Sequence, residues 1–244
     1  MMNRLIFRTS RHLSTADVDM EARLRPGALV EMMIQAAVGS ADSLGMGYED
    51  LKKQNLFWVL HRLTIEIDRP LKLDETIEVE TWPKDVDGLN YLRDFLVRDE
   101  AGRIVVRATS GWLAVTREKK RLAAISQAQT DILTSLKNKH AIPEMPEKLK
   151  VITGGDPAFI RPVWYDFDIN RHVTSHRYID WMIDSFPLDH LVKNYPGYLS
   201  VNYIKEIIPG ETIKLQRVQK GPDFQFDGIN ETTGNSAFRG HMVF

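Results

Sequence analysis

The chain has 244 residues, of which 43% are hydrophobic and 27% are charged, and its formal net charge at pH 7 is −1. This composition is typical of a globular protein with a substantial core. The near-zero net charge excludes a global basic field of the kind that recruits nucleic acid or anionic membranes. The chain has no cysteine, which excludes disulfides, thiolate metal sites and a cysteine nucleophile. We therefore expect no nucleic acid, no membrane and no metal among its ligands.

The N-terminal sequence has only a short apolar run, Leu5–Phe7, and becomes acidic by Asp17, which is not the pattern of a signal or transit peptide. No apolar stretch approaches the roughly 20 residues that a membrane span needs. These patterns predict a cytoplasmic protein. The motifs of P-loop, dinucleotide-binding, zinc-protease and serine-hydrolase sites are absent, so we also expect no organic cofactor.

The first long helical pattern begins at Pro26, because proline is favoured in the first turn of a helix, and it ends at Gly45. Apolar and small residues recur within it at intervals of three and four, which defines one face. A face of such small residues either packs closely against a sheet or leaves room for a ligand. The residues of this face are Leu29, Met32, Met33, Ala36, Ala37 and Ser40.

From Phe57 onward the pattern changes to a period of two, which predicts strands. Further strands are predicted over Tyr91–Arg98 and Ile104–Val115. A long helix followed by antiparallel strands predicts an α+β layer in which the sheet curls around the helix. A basic cluster and a predicted helix over Ser126–Lys139 then form a connection. The cluster is typical of a solvated face and is also where an acidic protein partner would bind; it consists of Arg117, Lys119, Lys120 and Arg121.

Three chemically capable residues, Asp168, Asn170 and His172, occupy alternate positions just before a second helical pattern that Thr174 or Ser175 can cap. In extended backbone they would project to one side. The N-terminus of the following helix favours negative charge, including the oxyanion of a tetrahedral intermediate. The alternative is that all three are ordinary turn and capping residues.

The second half of the chain repeats the first. Asp19 aligns with Asp168 at an offset of 149 residues, Glu75 with Glu211 at 136, and Gly111 with Gly240 at 129. Two copies of one supersecondary unit in a single chain form a built-in pseudo-dimer.

The repeat bears on the polar trio. Where the second copy has Asn170 and His172, the first has Glu21 and Arg23, so only the aspartate is shared. A trio that merely supported the fold would be expected in both copies. The repeat therefore favours one active half and one lapsed half.

Four blocks give the chain a resemblance to the acyl-(acyl carrier protein) thioesterases of plants and bacteria: Asp168–Val173 with Tyr178–Trp181, Leu56–Arg62, Arg93–Asp99 and Tyr203–Glu206. The resemblance spans essentially the whole chain. It implies two fused hotdog domains, each a long central helix wrapped by an antiparallel sheet. We expect an acyl-binding, catalytically lapsed domain over residues 1–125, a linker with a helix over 126–150 and a catalytic domain over 151–244.

The resemblance implies hydrolysis of the thioester of fatty acyl-acyl carrier protein, with release of a free fatty acid that ends its synthesis. It assigns catalytic roles to Asp168, Asn170, His172 and a strand glutamate, Glu206. Many plant members have a cysteine after that glutamate where this chain has Ile207, so a cysteine mechanism cannot operate here.

The resemblance also implies an apolar tunnel in the first half, and we expect Leu29, Met33 and Trp58 to contact the acyl chain there. Helix N–H groups near Val173 are the expected oxyanion donors. Glu206 is ambiguous, because strand alternation predicts a surface position unless a β-bulge turns it inward or its partners face the helix mouth.

The residues leave the mechanism open. Either Glu206 or His172 deprotonates a water, with Asn170 as an orienting group. Asp168 either orients His172 or attacks the thioester directly to form an anhydride.

Three other functions remain as alternatives: an acyl-CoA thioesterase, a non-catalytic acyl-thioester-binding module, and a hotdog β-hydroxyacyl dehydratase. Glu31 and Gln35 match the motif of the dehydratase helix. In the dehydratases the glutamate acts with a nearby histidine, but this chain has no histidine between His12 and His61. The sequence also leaves open a homodimer of the pseudo-dimer.

Overall fold

The structure is a computed structural model that describes residues 5–244, apart from the side chain of Asp156. The strands of this part of the chain are Phe7–His12 (β1), Leu56–Ile67 (β2), Thr76–Asp87 (β3), Asn90–Arg98 (β4), Ile104–Thr116 (β5), Asp156–Ile160 (β6), Tyr198–Tyr203 (β7), Ile213–Lys220 (β8), Asp223–Asn230 (β9) and Ser236–Val243 (β10). The α-helices are Pro26–Ser43 (α1), Tyr48–Lys53 (α2), Gln127–Leu133 (α3), Ser175–Asp184 (α4) and Leu188–Lys193 (α5).

All ten strands form one sheet in the order β1-β3-β4-β5-β2-β7-β10-β9-β8-β6, with antiparallel neighbours throughout. From each edge to the centre the strand order is the same, because β1 to β5 of the first half correspond to β6 to β10 of the second. The halves meet where β2 pairs with β7, and the hydroxyls of Thr64 and Ser200 are 3.1 Å apart at that seam. The predicted α+β architecture of two fused units is confirmed.

The central helices α1 and α4 contact each other and share one hydrophobic core with the sheet. Leu29 and Met33 of α1 are each 1% exposed, and Tyr178 and Met182 of α4 are buried with them. Burial of each such side chain contributes about 1.5–3 kcal/mol. The core therefore joins the two repeats into a single folding unit.

The strand registers test the offsets of the repeat. Ile77 and Ile213 are equivalent at the offset of 136 and pair with Arg11 and Ile160, which differ by 149. The pairs Arg11–Ile77 and Ile160–Ile213 are therefore equivalent in the two halves, which agrees with the offsets of 149 and 136.

The third offset is wrong. Phe95 pairs with Ala108, and its buried counterpart Phe226 pairs with Gly240, so Gly240 corresponds to Ala108 and not to Gly111. A Cβ at Gly240 would clash with the sulfur of Met182 on α4, so this glycine allows close packing of helix and sheet.

The connection between the halves is less helical than predicted. α3 starts after a capping box formed by Ser126 and Gln129, as a helix start should, but it ends at Leu133. The hydroxyls of Thr134 and Ser135 donate to carbonyls four residues back, and such bonds compete with helix continuation. Within residues 5–244, none of the helices combines the length and the apolar composition that crossing a membrane would require.

Candidate active site

The segment that contains Asp168, Asn170 and His172 is a tight turn, and the prediction of extended backbone is wrong. The backbone N–H of Asp168 donates to the carbonyl of His172 (2.8 Å). In return, Oδ1 of Asp168 accepts the backbone N–H groups of Asn170 (2.8 Å) and His172 (3.0 Å). Arg171 lies in the left-handed region, with φ +61°. The aspartate carboxylate thus stabilises the turn by satisfying two donors.

The turn brings the side chains of the trio together only in part. Nδ2 of Asn170 donates to Oδ2 of Asp168 (3.3 Å), and both residues are exposed, whereas His172 is half-buried. Within the described residues, Asp168 reaches His172 through the backbone N–H and makes no hydrogen bond to the imidazole. Asp168 therefore holds the backbone of His172 and leaves the ring to another partner.

That partner is Glu206, whose Oε2 lies 3.3 Å from Nε2 of His172. Glu206 follows β7 and is not on a strand, which corrects the prediction of a strand glutamate. The backbone N–H groups of Ile204 and Lys205 both donate to the carbonyl of Ala237, at 2.9 Å each. Two consecutive donors on one acceptor mark a bulge-like irregularity. After this irregularity Glu206 is half-buried and faces His172 just before α4, which agrees with both alternatives that the sequence left open.

The N–H of Val173, the expected oxyanion donor, is already engaged, because it donates to the carbonyl of the fully buried Ile207 (3.0 Å). Thr174 is the N-cap residue of α4, but its side chain makes no capping hydrogen bond. The backbone N–H groups of Ser175 and His176 in the first turn find no acceptor within the part of the chain that is described. These two groups, and not Val173, are available to a developing negative charge.

The site also contains Lys120, for which the sequence predicted either a solvated face or a place in a surface that binds an acidic partner. Its Nζ forms a close ion pair with Oε2 of Glu206 and lies 3.5 Å from Nε2 of His172. Lys120 comes from the turn after β5 in the first half, so the site draws on both halves. A local charge pattern carries no information on contacts 86 residues apart in sequence.

An apolar cavity of about 210 Å³ lies in the first half. Trp58 lines it, with its indole N–H bonded to the carbonyl of Met46 (2.9 Å) and its ring edge-on to Tyr91 at 5.0 Å. Leu29 and Met33 do not line this cavity and lie instead in the shared core. The contacts from α1 come from residues further along the helix, namely Ile34, Ala37, Val38 and Ala41.

The turn after β5 connects the cavity with the polar residues. Tyr48 lines the cavity, and the guanidinium of Arg117 lies 5.1 Å from its ring centroid and donates to its hydroxyl (3.1 Å). The N–H of Lys120 closes the same turn on the carbonyl of Thr116 (3.0 Å). Since Lys120 also contacts His172, this turn lies between the apolar cavity and the imidazole.

The structure also brings a histidine toward Glu31. Burial lowers the pKa of His176 at the start of α4, and the charges of Asp180 and of Glu31 on α1 oppose that shift. The sequence has no histidine near Glu31 along the chain, whereas the fold brings His176 toward it from the second half. Among residues 5–244, however, the two side chains form no hydrogen bond or ion pair.

The two halves match two family models. The model described as the acyl-ACP thioesterase N-terminal domain matches residues 4–133, and the model described as the C-terminal domain matches residues 156–243. The chain belongs to the acyl-ACP thioesterase family. The resemblance inferred from the four sequence blocks is thereby confirmed.

Solved members of the acyl-ACP thioesterase family have the same fold. The crystal structure of an acyl-ACP thioesterase from Bacteroides thetaiotaomicron is 26% identical, with a TM-score of 0.90, and covers 100% of this chain and 98% of that one. The 12:0-ACP thioesterase from Umbellularia californica is 23% identical, with a TM-score of 0.84 and coverage of 98% and 96%. The predicted fusion of two hotdog units is confirmed.

Curated relatives of the acyl-ACP thioesterase family are longer. An acyl-[acyl-carrier-protein] hydrolase from Cuphea viscosissima is 28% identical over 212 residues, which is 82% of this chain and 52% of the relative. A palmitoyl-acyl carrier protein thioesterase from Gossypium hirsutum is 30% identical over 177 residues, which is 68% of this chain and 43% of the relative. The chain thus spans about half the length of the curated relatives that it matches.

Proposed function

We propose that the chain hydrolyses the thioester of fatty acyl-acyl carrier protein and releases the free fatty acid. The observation that carries the proposal is the contact of 3.3 Å between His172 and Glu206. It lies beside the turn after β5, whose Arg117 contacts Tyr48 in the wall of the apolar cavity. A carboxylate-imidazole pair can activate water, and the cavity can hold the acyl chain. The first half then binds the chain, and the second half supplies the chemistry.

In the proposed mechanism, the pair of His172 and Glu206 takes a proton from water, and the resulting hydroxide attacks the thioester carbonyl. The N–H groups of Ser175 and His176 stabilise the oxyanion as it forms. The C–S bond then breaks, and the thiolate of the carrier arm takes up the proton that the pair accepted. A thiol is a good leaving group, so no covalent enzyme intermediate is needed.

The position of Asp168 supports direct attack by water over an anhydride route. Its Oδ1 accepts two backbone N–H groups and its Oδ2 accepts the amide of Asn170, so the carboxylate is held as part of the turn. Single-turnover hydrolysis in heavy-oxygen water should place the label in the fatty acid alone. Label incorporated into Asp168 would overturn the proposed route.

The proposed partner is an acyl carrier protein, whose acidic surface would meet the half-buried Arg117 and the exposed Lys119 beside the site. A CoA substrate lacks that surface. We therefore expect kcat/KM to be higher for acyl-acyl carrier protein than for the same acyl group on CoA, and the preference should shrink as salt is raised.

A hydrolysis panel tests the function. Thiol release is measured from acyl-acyl carrier proteins of graded chain length, from the matching acyl-CoA compounds and from a β-hydroxyacyl substrate. We expect thiol release that His172→Ala lowers by about 10²–10⁴-fold. Dehydration of the β-hydroxyacyl substrate without thiol release would favour a dehydratase, and tight binding without turnover would favour a non-catalytic binding module.

A further inference from the structure

Lys120 is the residue of the first half that contacts both members of the proposed catalytic pair. Its ammonium group is ion-paired with Oε2 of Glu206 and lies 3.5 Å from Nε2 of His172. Its side chain is 53% exposed, and that of Glu206 is 35% exposed. The ion pair is therefore accessible to water and contributes little to stability. Its role in the site has to be inferred from its geometry.

The backbone holds Lys120 in a defined place. Its φ is +47°, a conformation that non-glycine residues adopt at a cost of about 1–3 kcal/mol. The turn is closed by the N–H of Lys120 on the carbonyl of Thr116 (3.0 Å) and by the N–H of Arg121 on the hydroxyl of Thr116 (3.0 Å). The N–H of Thr116 in turn donates to the carbonyl of Arg121 (2.8 Å). This turn therefore points the lysine from the first half toward the second.

Glu206, by contrast, follows the end of its strand. It lies after the irregularity at Ile204 and Lys205, and its side chain is held by two groups within the described residues, the imidazole of His172 and the ammonium of Lys120. An imidazole alone would leave the carboxylate free to rotate. Adding the ammonium on the same oxygen fixes Oε2 toward Nε2 of His172.

We propose that Lys120 is a positioning residue, which holds the carboxylate of Glu206 against Nε2 of His172 and so couples the cavity of the first half to the catalytic pair of the second. The inference rests on the proposed function of that pair. It assigns to the first half a part in the chemical step as well as in binding the acyl chain. A lysine used only to dock an acidic carrier would act on KM, whereas a positioning lysine acts on kcat.

The test compares Lys120→Met, Lys120→Arg and a control, Lys205→Met, in the full-length chain. Lys205 is next to Glu206 and exposed, and its side chain makes no ion pair within residues 5–244. We expect Lys120→Met to lower kcat about tenfold, with KM changed less than about twofold. Lys120→Arg should recover most of the loss because it keeps the charge and the donors, and Lys205→Met should match the unsubstituted chain.

A double-mutant cycle shows whether Lys120 acts through Glu206. In a Glu206→Gln background, the further substitution Lys120→Met should have almost no effect on residual kcat. A further tenfold loss of kcat on adding Lys120→Met in that background would overturn the proposal. An unchanged kcat in Lys120→Met alone, or an effect confined to KM, would also overturn it.

A second readout stays informative if the chain hydrolyses no thioester, a result that would overturn the proposed function but not the contact. The imidazole NMR signals of His172, assigned with His172→Ala, should move in Lys120→Met and stay in place in Lys205→Met. Signals that are equal in all variants would overturn the contact itself. Melting curves that coincide would exclude unfolding as the cause of a lost activity.

Discussion

Two turns in this molecule have the same backbone and different side chains. In the first half, Oδ1 of Asp19 accepts the backbone N–H groups two and four residues further on, at 2.9 and 3.0 Å, as Oδ1 of Asp168 does in the second half. Ala22 and Arg171 occupy the same left-handed position, with φ +56° and +61°. The aspartate therefore belongs to the scaffold of both turns. Its presence in both copies argues for a structural role.

The bond that occupies the N–H of Val173 is repeated as well. The N–H of Leu24 donates to the carbonyl of Leu71 (2.8 Å), as Val173 does to Ile207. A hydrogen bond made in both halves cannot distinguish a catalytic turn from a lapsed one. This repetition favours the N–H groups in the first turn of α4 over that of Val173 as the oxyanion donors.

What differs between the turns is the chemistry. Arg23 stands where the second half has His172, and Pro70 stands at the position that corresponds to Glu206. The guanidinium of Arg23 donates to the carbonyls of Leu191 (2.8 Å) and Asn194 (3.2 Å), so it ties the first turn to the second half. The first turn has become an anchor, while the second has kept groups that can exchange protons.

The apolar cavity also distinguishes the halves, but in the opposite sense, because it lies in the first half. Ala37 lines the cavity of the first half, whereas the residue 149 positions later is Phe186. Phe186 packs edge-on against Phe224 at 4.8 Å and Phe244 at 5.0 Å. Phe186 lies just after the end of α4, where it packs in an aromatic cluster, whereas Ala37 lies within α1 and lines an open cavity. This difference supports the proposed division, in which the first half binds the acyl chain and the second half supplies the chemistry.

The largest expected effect is on catalysis at the two turns. His172→Ala should lower kcat by about 10²–10⁴-fold, because it removes the proposed proton acceptor. The matched substitution Arg23→Ala should leave kcat within about twofold but destabilise the fold by about 1–3 kcal/mol, through the loss of charged hydrogen bonds. Steady-state kinetics and urea unfolding measure the two. Equal losses of activity at both turns would contradict the division into an active and a lapsed half.

The cavity comparison predicts a smaller effect on catalysis. Ala37→Phe introduces the residue of the second half, so it should shorten the preferred acyl chain and lower kcat/KM for longer chains about 30-fold, which corresponds to about 2 kcal/mol. The reciprocal Phe186→Ala should destabilise the fold by about 3–5 kcal/mol without changing the chain-length profile. A profile unmoved by Ala37→Phe would show that the chain binds elsewhere.

The shared aspartates predict matched effects on stability. Asp19→Ala and Asp168→Ala should each cost about 1 kcal/mol, because each leaves two turn N–H groups without their acceptor. The losses should add in the double variant, since the turns share no partner. Only Asp168→Ala should also lower kcat, through the displaced backbone of His172. A stability loss at Asp168 alone would argue against the common scaffold.

The features of the fold that could be predicted from the sequence are those with a local or repeated pattern. The periodicity of α1 and the duplicated offset of 149 predict an α+β layer in two copies, and the resemblance carried by the four blocks implies the two hotdog units. The alternate spacing of Asp168, Asn170 and His172 predicts extended backbone and misses the turn, because spacing alone does not show that a carboxylate will accept its neighbours' N–H groups. Lys120 could not be found in this way, since its contacts depend on how two distant loops meet.

The smallest predicted effect lies in the second half, at His241. Its Nε2 and Nδ1 lie 2.7 Å from Asp223 and 3.1 Å from Glu147, and the hydrogen bond to Glu147 raises the pKa of the imidazole against the opposing effect of burial. The hydroxyl of Tyr198 also donates to Glu147 (2.9 Å). The register gives this position a buried counterpart in Thr109, which has no titratable group in this range.

A pKa raised on folding stabilises the protein below the unfolded pKa of about 6.5, and the contribution is lost as pH rises through the folded pKa. The difference in unfolding free energy between the unsubstituted chain and His241→Gln should therefore be larger at pH 6 than at pH 9, by urea denaturation. Because the effect requires an imidazolium between Glu147 and Asp223, a difference that stays constant with pH would mean that His241 holds the strands as a neutral ring.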